Sequence, residues 1–251
     1  MPDRKQDNAF LKLMAQADYE AWQPHLLPME MPAGKVIYEQ GFRSEHVYFP
    51  LNGIVSLIYM LENGASTEIA MIGQEGMVGV HQLMGTQVEN HSAIVQSKGT
   101  ALRLPIRWIQ HTFQTSNVFR NLVLHFVHTL MTQMGQASVC NRHHTVEQQL
   151  CRLLLLSLDR VGGDELHLTQ EVMARLLGVR REGVTLAAMR LVKLDLIHYT
   201  RGHIKVLNRH ALESRACECY QVIQGEYRWL NGTAHTTFDF DHAGTNIFRM
   251  A

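Results

Sequence analysis

"TQEVMARLLGVRREGVTLAAMRLVKLDLI", residues 169–197, is helical in pattern, broken once by glycine, with adjacent arginines where its second half begins. Two short helices that cross steeply need a tight turn and small residues where they touch. Counted from Gln170 as the first position of a twenty-residue helix-turn-helix, Ala174 falls at the contact, Gly178 in the turn and Val184 in the shared core. Leu177, Val179, Ala187 and Ala188 are apolar or small, as such packing needs, and Leu191 and Leu194 continue the buried face. Thr169 suits the N-cap of the first helix, and Glu171 suits its positive end.

The second helix opens on Arg180-Arg181-Glu182. Arginine can bond guanine through two hydrogen bonds, and a carboxylate can accept from the amino group of cytosine, so this turn fits a major groove. Residues 169–209 hold eight basic side chains (Arg175, Arg180, Arg181, Arg190, Lys193, Arg201, Lys205, Arg209) and three acidic ones (Glu171, Glu182, Asp195), net +5 in a chain whose formal charge is zero. That is the local patch a phosphate backbone requires. "IHYTRGHIKVL", 197–207, then reads as a hairpin with Gly202 at its tip: a wing that carries Arg201 to phosphate. The competing reading is a helical hairpin with a solvated charged face that binds protein; pattern, charge and wing together favour duplex DNA.

Upstream, "VEQQLCRLLLLSLDRV" (146–161) is a helix ended by the turn "GGDE" (162–165). Before it, from 116 to 139, Phe119, Val123, Phe126, Leu130, Met134 and Ala137 recur at three- and four-residue steps. A stripe sustained this long is read as a dimer seam, the alternative being a helix lying on its own β domain. Between 31 and about 107, short β-rich runs alternate with glycine turns: "GKVIYEQG", "HVYFPLNG", "IVSLIYMLENG", "STEIAMIG", "HSAIVQSKG", "TALRLP". Turn signals every ten residues or so indicate an antiparallel sandwich or barrel, and "ENG" at 62–64 is a hairpin turn. Residues 8–27 read as one short amphipathic helix, 209–229 as helical, and 231–251 as a flexible polar tail.

Composition sets the outer limits. Apolar residues are 46% and charged residues 18% of 251, enough for a packed core. No apolar run approaches the ~20 residues of a membrane helix, and the N-terminus lacks the continuous apolar region of a secretory signal. Four cysteines in this length do not make a disulfide framework, so a reducing, cytoplasmic setting is expected. Enzyme signatures are absent: no phosphate-binding Gly-Lys-Ser/Thr loop, no HExxH, and "GQEGMVG" falls inside a sandwich pattern where a dinucleotide fingerprint has no support. The chain is read as a non-enzyme.

A β-sandwich, a long helix and a winged helix-turn-helix together resemble the Crp/Fnr family of bacterial transcription regulators. The resemblance covers roughly residues 30–215. It rests on "YEQGFRSEHVYFPLNGIVSL", "GMVGVHQLMG" and "HSAIVQSKG" in the first half and, more specifically, on "LTQEVMARLLGVRREGVT" in the second. It implies an α+β chain: a cyclic-nucleotide-binding-like β-roll or jelly-roll sensor domain (1–115), a dimerisation helix (116–145) and a winged helix-turn-helix domain (146–230). It also implies a homodimer on a palindromic operator, and leaves RNA polymerase open as a further partner. Arg181 and Glu182 match the family's base-reading pair, with Thr185 grouped beside them. Thr169, Gln170 and Arg180 fall where the family contacts phosphates. Leu186 stands where cyclic-AMP-responsive members carry a further base-reading arginine.

The effector pocket departs from the family pattern. Where cyclic-nucleotide-binding members pair arginine with serine at the cyclic phosphate, this chain has His91-Ser92. The ribose-binding glutamate position is Val80, with Glu75 nearby but out of register, and the adenine-facing pair falls near Met134 and Gly135. A neutral imidazole cannot replace a permanently charged guanidinium fork. Cyclic AMP is therefore not the expected effector, no cofactor is assigned, and the β-roll binds something else or nothing. Cys217 and Cys219 ("CEC") could hold a soft metal or form a redox pair, but with no second close cysteine pair to complete a tetrahedral site they are read as structural, with no metal. His143 and His144, at the end of the long helix, are read as solvated, the other option being a protonation-tuned hinge. The rival to a DNA-binding regulator is a ligand-sensing module whose C-terminal helices bind protein.

Overall fold

Asn8 fixes how the chain begins. Its Oδ1 accepts from the Leu11 N–H at 3.0 Å, and its Nδ2 donates to the carbonyls of Pro50 (2.8 Å) and Gly76 (3.0 Å), so one buried amide caps a helix and ties it to two loops of the β domain. A computed structural model describes residues 5–85 and 88–228; the tail expected over 231–251 lies outside them. The helix expected over 8–27 is two pieces, α1 (Ala9–Leu13) and α2 (Gln16–Trp22), and the chain is already extended at β1 (Leu27–Met31). The break lets Phe10 and Trp22 both turn inward, where they meet Phe49 and Phe119.

Two antiparallel sheets follow, ordered β1-β7-β3 and β2-β6-β4-β5, from β2 (Val36–Tyr38), β3 (His46–Pro50), β4 (Ile54–Met60), β5 (Ser66–Ile72), β6 (Ser92–Ser97) and β7 (Gly99–Pro105). Strand β4 is buried at five successive positions, Ile54 to Ile58, where a one-sided strand would alternate. Its outer face is covered by α5 (Val146–Val161), with Ser56 Oγ donating to Gln96 Oε1 (2.9 Å) and Gln96 Nε2 donating to Ser157 Oγ (3.2 Å) across the layer.

Helix α3 (Ile106–Thr115) breaks at Ser116, whose hydroxyl accepts from the Phe119 N–H (3.2 Å) and donates to Asp18 Oδ2 (2.7 Å), restarting the chain as α4 (Asn117–His143). The apolar stripe of α4 faces inward. Phe119, Val123, Phe126, Leu130 and Ala137 are buried within the chain and Met134 is partly buried against the same core, so this is not a seam offered to a second copy. Phe126 is 0% exposed and lies on Gly76, where an added Cβ would come within 2.6 Å of its ring. The reading set aside, a helix lying on its own β domain, is the one the packing obeys.

The remainder is β8 (Glu165–His167), α6 (Gln170–Leu177), α7 (Arg181–Lys193), β9 (Ile197–Thr200), β10 (His203–Val206), α8 (Arg209–Glu213) and α9 (Cys219–Tyr227), with a small antiparallel sheet β8-β10-β9. Helix α5, opened by a reciprocal capping box between Thr145 and Gln148, packs against β4 on one side and α6, α7 and α8 on the other. Leu194 does not continue the buried face of α7: it caps the helix at 46% exposure, and Leu196 and Ile197 take the inward places.

Candidate nucleic-acid interface, sensor pocket and cysteine cluster

The helix-turn-helix forms as its spacing requires. Thr169 Oγ1 accepts from the Val172 N–H (3.2 Å). Gly178, at φ 64°, turns the chain so that the Val179 N–H reaches the Ala174 carbonyl at 3.1 Å. Ala174, Leu177, Val184, Ala187, Ala188 and Leu191 are buried between the helices. What remains outside is the first turn of α7: Arg180, Arg181 and Glu182 are exposed and make no side-chain hydrogen bond or ion pair among the described residues, so the pair is not locked to itself. Thr185 is half-buried, and its hydroxyl proton points to Gln170 Oε1 (2.8 Å) and the Arg181 carbonyl (3.0 Å), which joins the two helices and leaves that oxygen to accept. Leu186 and Met189, both exposed, continue the outer face. Arg201 and Gly202, at φ 49° and 83°, form the two-residue turn between β9 and β10; Arg201 is exposed at its tip.

In the β domain, Val80, His91 and Ser92 are all buried. His91 Nδ1 lies 2.7 Å from Asn90 Oδ1, which can only accept, so Nε2 accepts from the Tyr38 hydroxyl at 2.9 Å. Burial, then the neighbouring His81, lowers the His91 pKa to about 4, which keeps the ring neutral at pH 7. Ser92 Oγ accepts from the Gln40 N–H (3.0 Å). The buried Glu89 carboxylate pairs with His81 and accepts from Gln82. Tyr38, His81 and Glu89 went unnoticed in the sequence, although Glu89 stands two residues before His91 and His81 directly follows Val80. One ligand atom each of His81, Glu89 and His91 lie within 4.8 Å of one another. Met134 stays on α4, packed against the main core.

The two domains meet through charge. Arg160 Nε on α5 lies 2.7 Å from Glu75 Oε1, both residues nearly sealed from solvent, and the guanidinium sits 5.0 Å above the Tyr227 ring. Glu75 is held by the Gly73 N–H at 3.1 Å from each carboxylate oxygen. On β5, burial raises the Glu68 pKa to about 7 against the opposing pull of Ser56, Arg152 and Arg160. The β4–β5 hairpin touches the helix-turn-helix directly, Thr67 lying against the turn at Gly178.

Cys217 and Cys219 do not stand apart. Helix α4 brings Cys140 and His144 to them, and the four ligand atoms lie within 4.8 Å of one another. The second cysteine pair that sequence spacing lacked is replaced by one cysteine and one histidine from 73 or more positions away.

Comparison with known proteins agrees with this layout. The model of the cyclic nucleotide-binding domain matches residues 28–116, and that of the Crp-like helix-turn-helix domain matches residues 148–215. A global nitrogen regulator of Synechococcus elongatus is 26% identical over 194 residues, covering 72% of this chain and 86% of its own. Among solved structures, a transcriptional regulator of the Crp/Fnr family from Eubacterium rectale has a TM-score of 0.65 at 15% identity, covering 84% of this chain and 98% of its own. The c-di-GMP-responsive global regulator CLP of Xanthomonas campestris has the same TM-score and identity, over 77% and 100%. No helix among the described residues is long and apolar enough to cross a membrane.

Proposed function

Since the chain belongs to the Crp/Fnr family of transcription regulators, we propose that it is a cytoplasmic, dimeric, sequence-specific DNA-binding protein whose β-roll responds to a signal other than cyclic AMP. The observation that carries the reading is the exposed, internally unpartnered turn Arg180-Arg181-Glu182 at the start of α7, flanked by the wing Arg201 in a segment of net +5. Arg181 and Glu182 read base edges, with Thr185 accepting beside them; Thr169, Gln170, Arg180 and Arg201 hold phosphates. Leu186 places an apolar side chain where it can meet a thymine methyl.

Dimerisation is assigned to the outer face of α4. Leu124, His128, Met131, Gly135 and Ser138 recur there at four- and three-residue steps, the period of a left-handed helix pair. Leu124 is 55% and Met131 66% exposed, and a Cβ on Gly135 would meet nothing within 4 Å, so a second helix can approach closely. Two recognition helices so joined reach successive major grooves about 34 Å apart.

Selection from a random duplex library tests the reading. A two-fold symmetric motif is expected, with binding that weakens steeply as salt rises. Binding that ignores sequence would refute specific recognition and favour a C-terminal domain that serves another partner. Arg181→Ala is expected to cost about 1–3 kcal/mol on the best site and relax one base position; a uniform loss over all sequences would make Arg181 a phosphate contact.

The sensor pocket yields its own expectation. His91, neutral and hydrogen-bonded to Tyr38 and Asn90, offers no fixed charge to a cyclic phosphate. Cyclic AMP is expected to leave both the melting temperature and the operator affinity unchanged. A ligand-dependent rise in melting temperature would overturn this.

A further inference from the structure

We propose that Cys140, His144, Cys217 and Cys219 bind one zinc ion that fastens the C-terminal helix α9 to the end of the long helix α4. The chemistry of the donor set comes first. Three thiols and an imidazole form a mixed sulfur–nitrogen site of the kind that holds structural zinc. Cys140 and His144 are four residues apart at the end of α4, hence on one face; Cys217 precedes α9 and Cys219 opens it.

The distances suit a single ion. Cys140 Sγ and Cys217 Sγ are 3.5 Å apart, and Cys219 Sγ is 3.6 Å from His144 Nδ1. A tetrahedral ion with bonds of about 2.3 Å to sulfur separates its ligands by about 3.8 Å. With all four ligand atoms within 4.8 Å of one another, there is no room between them for a cluster of iron and sulfide.

The surroundings are those of a ligand set. The three cysteines form a buried group of their own, apart from the main core, instead of filling gaps in it. His144 Nε2 lies 3.3 Å from Glu218 Oε1, so the carboxylate orients the ring and leaves Nδ1 for the metal. Gln149 Nε2 donates to the carbonyls of both Cys140 (3.2 Å) and His144 (2.9 Å), fixing the backbone that carries two ligands. Binding releases the three thiol protons to solvent, and three thiolates around Zn²⁺ leave the site at −1. The nearly buried Arg152 acts electrostatically on Cys140 and Cys219, and its Nε has no hydrogen-bond partner. It supplies the compensating charge.

The test uses the full-length untagged chain, purified without chelator. Elemental analysis is expected to find one zinc per chain. Exchange with Co²⁺ is expected to give the intense visible bands of tetrahedral cobalt and a thiolate-to-cobalt charge-transfer band. Cys140→Ser and Cys219→Ser should lose the metal, while Cys151→Ala, at the buried cysteine outside the group, should keep it. Should the serine variants not fold, Glu218→Gln decides, since Glu218 is largely exposed; a fall of about 10–100-fold in zinc affinity is expected from losing the partner of a ligating histidine. A folded, metal-free chain that develops no cobalt band would overturn the proposal. So would iron in place of zinc, a Cys140–Cys217 disulfide as the isolated form, or metal lost equally from Cys151→Ala. Operator binding is not read in this experiment, so its outcome is independent of the DNA-binding assignment.

Discussion

Glu75→Ala is expected to destabilise the junction between the domains by about 3–5 kcal/mol, the cost of stranding a buried charge. The charge stranded is Arg160, 4% exposed, fully inside the interface between the β-roll and α5. Asp159 and Glu68 also attract it, but neither forms an ion pair with it among the described residues. The Leu156 carbonyl accepts from Nη1 at 2.9 Å, the guanidinium lies over the neutral Tyr227 ring, and Nη2 already lacks a hydrogen-bond partner. The 2.7 Å approach of Nε to Glu75 is Coulombic in character, since its N–H is not aligned for a hydrogen bond. Such a pair is a poor source of net stability and a large liability when halved. The double variant Glu75→Leu/Arg160→Met is therefore expected to recover most of the loss. Urea unfolding followed by both circular dichroism and limited proteolysis checks it. A Glu75→Ala loss below about 1 kcal/mol, the scale of an exposed pair, would mean that water reaches the site.

Met131→Asp is expected to turn the proposed dimer into a monomer and to weaken binding to a two-half-site operator by about 10²–10⁴-fold, the advantage that linking two modest binders confers. Met131 projects from the outer face of α4, where an aspartate costs a monomer little, but two facing copies would bring like charges together between apolar side chains. Affinity for an isolated half-site should hardly change, because the first turn of α7 is untouched. Sedimentation velocity and binding to paired and single half-sites separate the effects. A variant that stays dimeric would move the seam elsewhere, and equal losses on both kinds of site would show damage to the fold.

What the sequence made readable depended on reach. The helix-turn-helix was legible to the residue, apart from Leu194, because contact, turn and core positions all lie within twenty residues and follow helical spacing. The stripe on α4 was legible as a buried face but not as to what buries it. A period of three and four residues reads the same whether Phe126 meets a second copy or, as it does, Gly76 of its own chain. The second, exposed stripe was hidden because Gly135 and Ser138 carry no apolar signal. Longer separations were illegible. Glu75 meets Arg160, and Cys140 meets Cys217 across 77 positions, through the way α5 and α9 fold back on the β-roll and α4. His91 and Ser92 were found by resemblance alone, and their partners Tyr38 and Gln40 only by the strand pairing of β2 with β6.

Helix α5 is buried on both sides, against β4 on one and the recognition domain on the other. A close-packed helix cannot roll or slide by small degrees without opening voids in both cores at once, and interiors resist that. Such packing favours a latch with discrete seats over a dial. If the β-roll senses a signal, as proposed, individual molecules are expected to hold the helix-turn-helix in one seat or another. A graded response of the promoter would then reflect the fraction of chains in each seat, never a half-turned protein.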